Sequence, residues 1–164
     1  MSLLFTTDGY VLQAGDGEGL DSWMGGARLS IKATAVQTGG KYAAVEFWGP
    51  KGAGSPTHIH GDDDEFFVVL DGEVRFKLAD EVVDVGTRGF MYGPRTIPHA
   101  FTLNSDGARV LLFFGPAGPE GFFRDVSALA ATVPPGEQPP MPALVEIAAR
   151  YGQRLIGPPV PPQD

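Results

Sequence analysis

The chain contains no cysteine in its 164 residues. That excludes a disulfide, a thiolate metal ligand and a thiol nucleophile. Histidine is scarce: His58, His60 and His99 are the whole supply, so any imidazole chemistry must draw on these positions. Long apolar runs are missing as well, and nothing approaches the roughly 18 residues of a membrane-spanning helix. Basic charge is in deficit, with 12 Lys and Arg against 20 Asp and Glu and a formal net charge of −8. Nucleic acid and anionic membrane need a basic face, so neither is expected as a partner. The opening MSLLFTTDGY lacks a basic stretch followed by an apolar core and a small-residue cleavage site. No secretory leader is therefore expected, and the cytoplasm is the default location.

What is present has the balance of an ordinary globular protein, with 43% apolar and 20% charged residues. The length suits one domain with a real core. Residues 1–24 read as loops and one short strand. From residue 25 to 115, short alternating segments are separated by turn signals. Arg28–Thr38, Tyr42–Trp48, Thr57–His60, Glu65–Leu70, Glu73–Leu78, Val82–Val85, Ile97–Leu103 and Arg109–Phe114 all read as strands, and Asp71-Gly72 is a hairpin dipeptide. No helical pattern interrupts them, which predicts an all-β sandwich or barrel. Residues 116–164 differ in kind. Phe122–Ala131 and Met141–Tyr151 read as helices, VPPGEQPPMP between them as a Pro-rich linker, and GPPVPPQD as an extended tail.

The chemistry concentrates in GAGSPTHIHGDDDEFFVVLDG, residues 52–72. Two histidines at i and i+2 on an extended segment point to one side, so His58 and His60 can reach a common ion. Glu65 opens the next strand, where its carboxylate can swing back. His99, in GPRTIPHAFTLN, suits a fourth ligand supplied by the opposing strand of a sandwich. Imidazoles with one carboxylate form the donor set of Fe, Mn, Co, Ni, Cu or Zn rather than Ca or Mg. The acids Asp62–Glu65 otherwise read as a solvated turn. Arg95 reads either as a guide for an anionic substrate or as half of a surface ion pair. Trp23 and Trp48 either line a pocket or pack.

At this point the chain resembles the cupin superfamily. Gly52, His58-x-His60, Glu65 and Gly72 match its first motif throughout, and Gly89, Pro94, His99 and Asn104 resemble the second, with Thr96 standing where Gly is usual. DDDEFFVVLDGEVRF, GPRTIPHAF and FFGPAGPEGFF are similar to small single-domain proteins related to quercetin 2,3-dioxygenase. The resemblance implies a double-stranded β-helix, or jelly-roll cupin barrel, with a short C-terminal helical extension. It also implies one divalent transition metal per chain on His58, His60, Glu65 and His99, and a homodimer.

Strand periodicity turns Phe67 and Phe101 to the same side as the ligands. With Phe47 they are the candidate contacts to a small organic substrate. The opposite face of EFFVVL, carrying Phe66, Val68 and Leu70, is apolar too and calls for a cover, either the C-terminal helix or a second subunit. The leading expectation is a dioxygenase-like enzyme acting on a flavonol- or catechol-like substrate, with Glu65 as ligand and general base. The alternatives are a non-redox metal-dependent isomerase or cyclase, and a binding module without catalysis.

Overall fold

The computed structural model describes residues 9–134 and 137–164, with the side chains of 21–24 set aside. Eleven strands and three helices follow in chain order: β1 Glu18–Trp23, β2 Ala27–Ala33, α1 Ala35–Thr38, β3 Ala43–Trp48, β4 Pro56–His60, β5 Asp64–Asp71, β6 Glu73–Leu78, β7 Glu81–Gly86, β8 Phe90–Gly93, β9 His99–Leu103, β10 Arg109–Gly115, α2 Glu120–Ala130, α3 Met141–Arg150 and β11 Gln153–Pro159. They form two antiparallel sheets. One has the order β1-β2-β3-β10-β5-β8 and the other β11-β4-β9-β6-β7. The strand spacing predicts an all-β sandwich or barrel, and the two sheets form the jelly roll that the cupin resemblance implies.

Alternation explains which sides face each other. Along β5 and β10 every second residue is buried. Phe67 and Val69 of β5 meet Val110 and Leu112 of β10 on the inner face, with Phe76, Phe101 and Leu103 from the other sheet. Each such side chain, taken fully out of water, contributes about 1.5–3 kcal/mol. The β5–β6 hairpin turns at Gly72, whose φ of 73° is a conformation that glycine adopts without penalty.

Three segments differ from the sequence expectation. The expected strand Arg28–Thr38 stops at Ala33. Thr34 then caps a single helical turn: its hydroxyl accepts from Gln37 N, and the Gln37 side chain accepts from Thr34 N at 2.9 Å. This reciprocal capping box outweighs the continuing alternation. The C-terminal tail does not hang free. Gln153–Pro159 pairs with β4 as an edge strand, Thr57 Oγ1 donates to Pro158 O at 2.8 Å and Thr102 Oγ1 to Val160 O at 2.6 Å. Prolines at its end are tolerated because the outer edge needs no donors. Finally, the helices pack elsewhere than over Phe66, Val68 and Leu70. α2 lies against β1 and β3, and α3 against β11 and α2. Leu70, Phe90 and Tyr92 are 40, 58 and 44% exposed, and Phe66 stacks on Tyr92 at 4.9 Å.

Candidate metal centre

His58 and His60 alternate on β4 with Thr57 and Ile59, and both rings turn inward, at 6 and 1% exposure. His99 opens β9 directly opposite His58 in register. Glu65 comes from the facing sheet, paired with Phe114 and Gly93. The arrangement inverts one expectation: His99 shares a sheet with the other two histidines, and Glu65 crosses the sandwich. Gly93 lets β8 approach closely, since a Cβ there would lie 3.3 Å from the His99 ring.

The four side chains converge on one point. Glu65 Oε2 lies 2.9 Å from His99 Nε2, 3.1 Å from His60 Nε2 and 3.6 Å from His58 Nε2, and the His58 and His60 Nε2 atoms are 3.1 Å apart. All four ligand atoms fall within 4.8 Å of one another. Each Nδ1 faces outward to an oxygen. His58 Nδ1 meets Pro56 O at 2.8 Å, His99 Nδ1 meets Ile97 O at 2.9 Å and His60 Nδ1 meets Asp63 Oδ2 at 2.6 Å. With a metal bound, these partners would hold the hydrogen on Nδ1 and leave the Nε2 lone pairs for the ion, the usual support for imidazole ligands. The Asp63 contact is close in distance but falls short of hydrogen-bond alignment.

This donor set fits a first-row divalent ion. Bonds of about 2.1 Å at right angles would place neighbouring donors ~3.0 Å apart, close to the separations found. Imidazole lone pairs 3.1 Å from one another repel unless a cation or proton lies between them. The electrostatics agree. Burial acts to raise the Glu65 pKa, but hydrogen bonds from His58, His60 and His99 outweigh it and hold the carboxyl well below its ordinary value. Burial alone would lower the His60 pKa, yet the Asp63 and Glu65 carboxylates raise it to about 9. For His58, burial prevails over the Glu65 carboxylate and the pKa falls. A proton on His60 thus takes the part that a metal cation is suited to play.

The centre opens into a pocket with about 390 Å³ of free space, mouth included, but only about 30 Å³ for the centres of water-sized molecules. Its interior has room for roughly two or three waters. Phe101 lines it, as the strand pattern anticipates. Phe47 and Phe67 do not. Both are fully buried in the layer behind, with Phe47 edge-on to Phe101 at 5.0 Å and Phe67 centred 5.4 Å from it. Inward alternation identifies a face of a strand, and only depth in the sandwich separates core from pocket wall.

Other walls were not singled out in the sequence. Leu112 and Phe114 come from β10, Phe122 and Phe123 from α2, and Gln153 and Leu155 from β11. The FFGPAGPEGFF likeness was the available signal for the α2 pair, and the likeness of the YGQRLIGPP ending for Gln153 and Leu155. Glu120 positions α2, since its buried carboxylate accepts from Ala35 N at 2.7 Å and Gly118 N at 2.8 Å.

The acid run divides. Asp63 turns in beneath His60 at 4% exposure, which the solvated-turn reading missed. Asp64 pairs with exposed Arg95 at 3.0 Å, and burial only weakly opposes the lowering of its pKa by that guanidinium. Arg95 is therefore in an ion pair and does not line the pocket. Trp48 packs under Arg109 at 4.7 Å on the outer face, and the Trp23 side chain lies outside the described residues.

A two-sheet jelly roll with three inward histidines and one glutamate defines the class. Residues 47–115 match the cupin domain family, and with the jelly-roll fold this supports a member of the cupin superfamily. It is similar to quercetin 2,3-dioxygenase of Bacillus subtilis (strain 168), 28% identical over 116 residues. The match covers 70% of this chain and 34% of that protein, so the chain spans about a third of its relative's length. Among solved structures it resembles KdgF from Halomonas sp., with TM-score 0.56, 19% identity, and coverage of 62% of this chain and 88% of that one. An RmlC-like cupin from Shewanella frigidimarina gives TM-score 0.54 and 19% identity, covering 62% and 86%. These two likenesses concern the fold.

Proposed function

We propose that this protein is a metal-dependent, dioxygenase-like cupin for a small enolic or catechol-like substrate. The proposal assigns one divalent ion (Fe, Mn, Co, Ni, Cu or Zn) to His58, His60, Glu65 and His99. The observation that carries it is the convergence of these four buried donors at the inner end of an apolar pocket. The similarity to a quercetin dioxygenase supports the oxygenase branch of cupin chemistry. An ion bound there supplies Lewis acidity toward oxygen donors and, if redox-active, a route for electrons to dioxygen.

The chain's own residues do the rest. The three imidazoles, fixed through Nδ1, hold their Nε2 atoms in place. Phe101, Leu112, Phe114 and Leu155 exclude water from the interior. Glu65 is held ionised, so it can accept the proton of an incoming hydroxyl, at the cost of loosening its histidine contacts. The narrow interior favours a substrate smaller than a flavonol, unless Phe122, Phe123 or Leu155 swings aside. The apolar strip of exposed Leu70, Phe90 and Tyr92 with half-buried Phe66 supports a homodimer through this sheet face. A cytoplasmic setting accords with the absence of cysteine.

Elemental analysis of protein purified without added metal, followed by oxygen uptake with flavonol and catechol probes, tests the reading. A redox-active ion near one equivalent, with uptake, supports it. One equivalent of metal and no uptake with any probe would shift the assignment to non-redox isomerase or cyclase chemistry. Failure to bind any ion after reconstitution would leave a small-molecule-binding module.

A further inference from the structure

Gln153 stands apart from the rest of the pocket wall. It is the first residue of β11 and lies opposite His60 in register, so both side chains project from the same face. Cβ atoms of such cross-strand pairs are about 5 Å apart, which brings the glutamine amide alongside the His60 imidazole. Gln153 is 4% exposed and lines the same pocket as His58, His60 and Glu65. Among the described residues its side-chain amide makes no hydrogen bond, and its polar atoms are not sealed off from solvent but open to the pocket. The remaining walls are largely apolar, apart from Ser55, whose Oγ accepts from Phe101 N at 3.2 Å and keeps its own hydrogen to donate. Among the described residues no lysine or arginine lines the pocket.

Resting on the metal reading above, we propose that Gln153 is a substrate-selecting residue: its amide N–H donates a hydrogen bond to an oxygen of the ligand held at the His58–His60–Glu65–His99 centre. The chemistry of the wall defines the ligand class. A compact molecule presenting paired oxygen donors, neutral or singly anionic, matches one metal-facing end and one neutral donor. A dicarboxylate does not, because its second charge would be buried without a cation. The C-terminal strand is then part of the recognition surface rather than a packing arm.

The test uses full-length protein loaded with Co(II) and titrated with acetohydroxamate, a small bidentate oxygen donor, while the visible absorption of the ion is followed. Gln153→Leu keeps similar bulk and removes the donor; its affinity is expected to fall about tenfold. Gln153→Glu keeps the shape but turns a carboxylate on an anionic ligand, and is expected to fall further. In both variants, cobalt content and the spectrum before ligand addition stay as in the parent. Equal acetohydroxamate affinity in all three proteins overturns the role of Gln153 and leaves the metal centre standing. Weakened binding that comes with loss of cobalt assigns Gln153 a structural role and overturns the proposal equally. A parent protein that takes up cobalt but gives no acetohydroxamate response refutes the ligand class. A parent that takes up no cobalt refutes the metal reading, and this inference with it.

Discussion

Replacing Asp63 separates a site built to hold a metal from a chance cluster of inward histidines. Asp63 is 4% exposed and its Oδ2 lies 2.6 Å from His60 Nδ1. Removing a carboxylate that backs a ligating imidazole typically weakens metal binding 10- to 100-fold, or about 1.4–2.8 kcal/mol. The structure indicates where in that range each variant falls. The His60 ring is held independently by stacking on His99, with centroids 5.4 Å apart and planes 5° apart, and by Phe114 at 5.9 Å. Orientation therefore survives, and what is lost is basicity and the fixed tautomer. Asp63→Asn keeps an oxygen that can accept from Nδ1–H, and its loss is expected near the lower limit, about tenfold. Asp63→Ala removes the charge and the oxygen beside Nδ1 together, and is expected toward 100-fold. Competition against a chelator of known affinity, monitored with Co(II) or Zn(II), measures both. If Asp63→Ala binds metal as tightly as the parent, the support assigned to Asp63 is wrong. If Asn and Ala lose equally, the hydrogen bond is not the operative contact.

The ligands themselves give a coarser test: His60→Ala and His99→Ala are each expected to lose most bound metal while the far-UV spectrum stays β-like, and full occupancy in both would remove the site. Thr96, exposed at φ 70°, sits in a left-handed conformation costly for a β-branched residue, while its N–H donates to His60 O at 2.8 Å. Relief of about 1–2 kcal/mol, less roughly 0.4–1 kcal/mol for glycine's unfolded-state freedom, predicts that Thr96→Gly raises the thermal midpoint by a few degrees; a drop would refute the strain. Glu46 supplies a pH test. Burial acts to raise its pKa, but hydrogen bonds from Arg109 and Lys32 prevail and lower it. A carboxyl depressed in the folded state adds stability above its unfolded pKa of about 4.5 and loses it as pH falls through the folded value. Acid unfolding of Glu46→Gln, compared with the parent, should show a smaller loss of stability below about pH 4.5, and parallel curves would count against the linkage.

Local pattern alone determined a good deal of this protein. The alternation of EFFVVL, EVRFKL and RVLLFF placed three strands nearly to the residue, because burial on one face imposes period two whatever the partner strand. The His58-x-His60 spacing, Glu65 five residues on and His99 in a second turn-bounded strand marked the candidate ligands, since side chains at i and i+2 share a face in any strand. The glycine usual at Thr96 also pointed to a backbone demand that the φ of 70° confirms.

Tertiary structure decided what depends on which surfaces meet. It brought Glu65 across from the facing sheet and left His99 beside His58. It separated Phe101 at the pocket from Phe47 and Phe67 behind it, because depth in a sandwich is set by both sheets together. It drew Asp63 out of an acidic run to back His60, and paired a proline-rich C-terminal stretch with β4 so that Gln153 reached the pocket. None of these is written in a local period. Each arises from contacts between segments far apart in the chain, where the free energy of burial is shared and no single stretch carries the pattern.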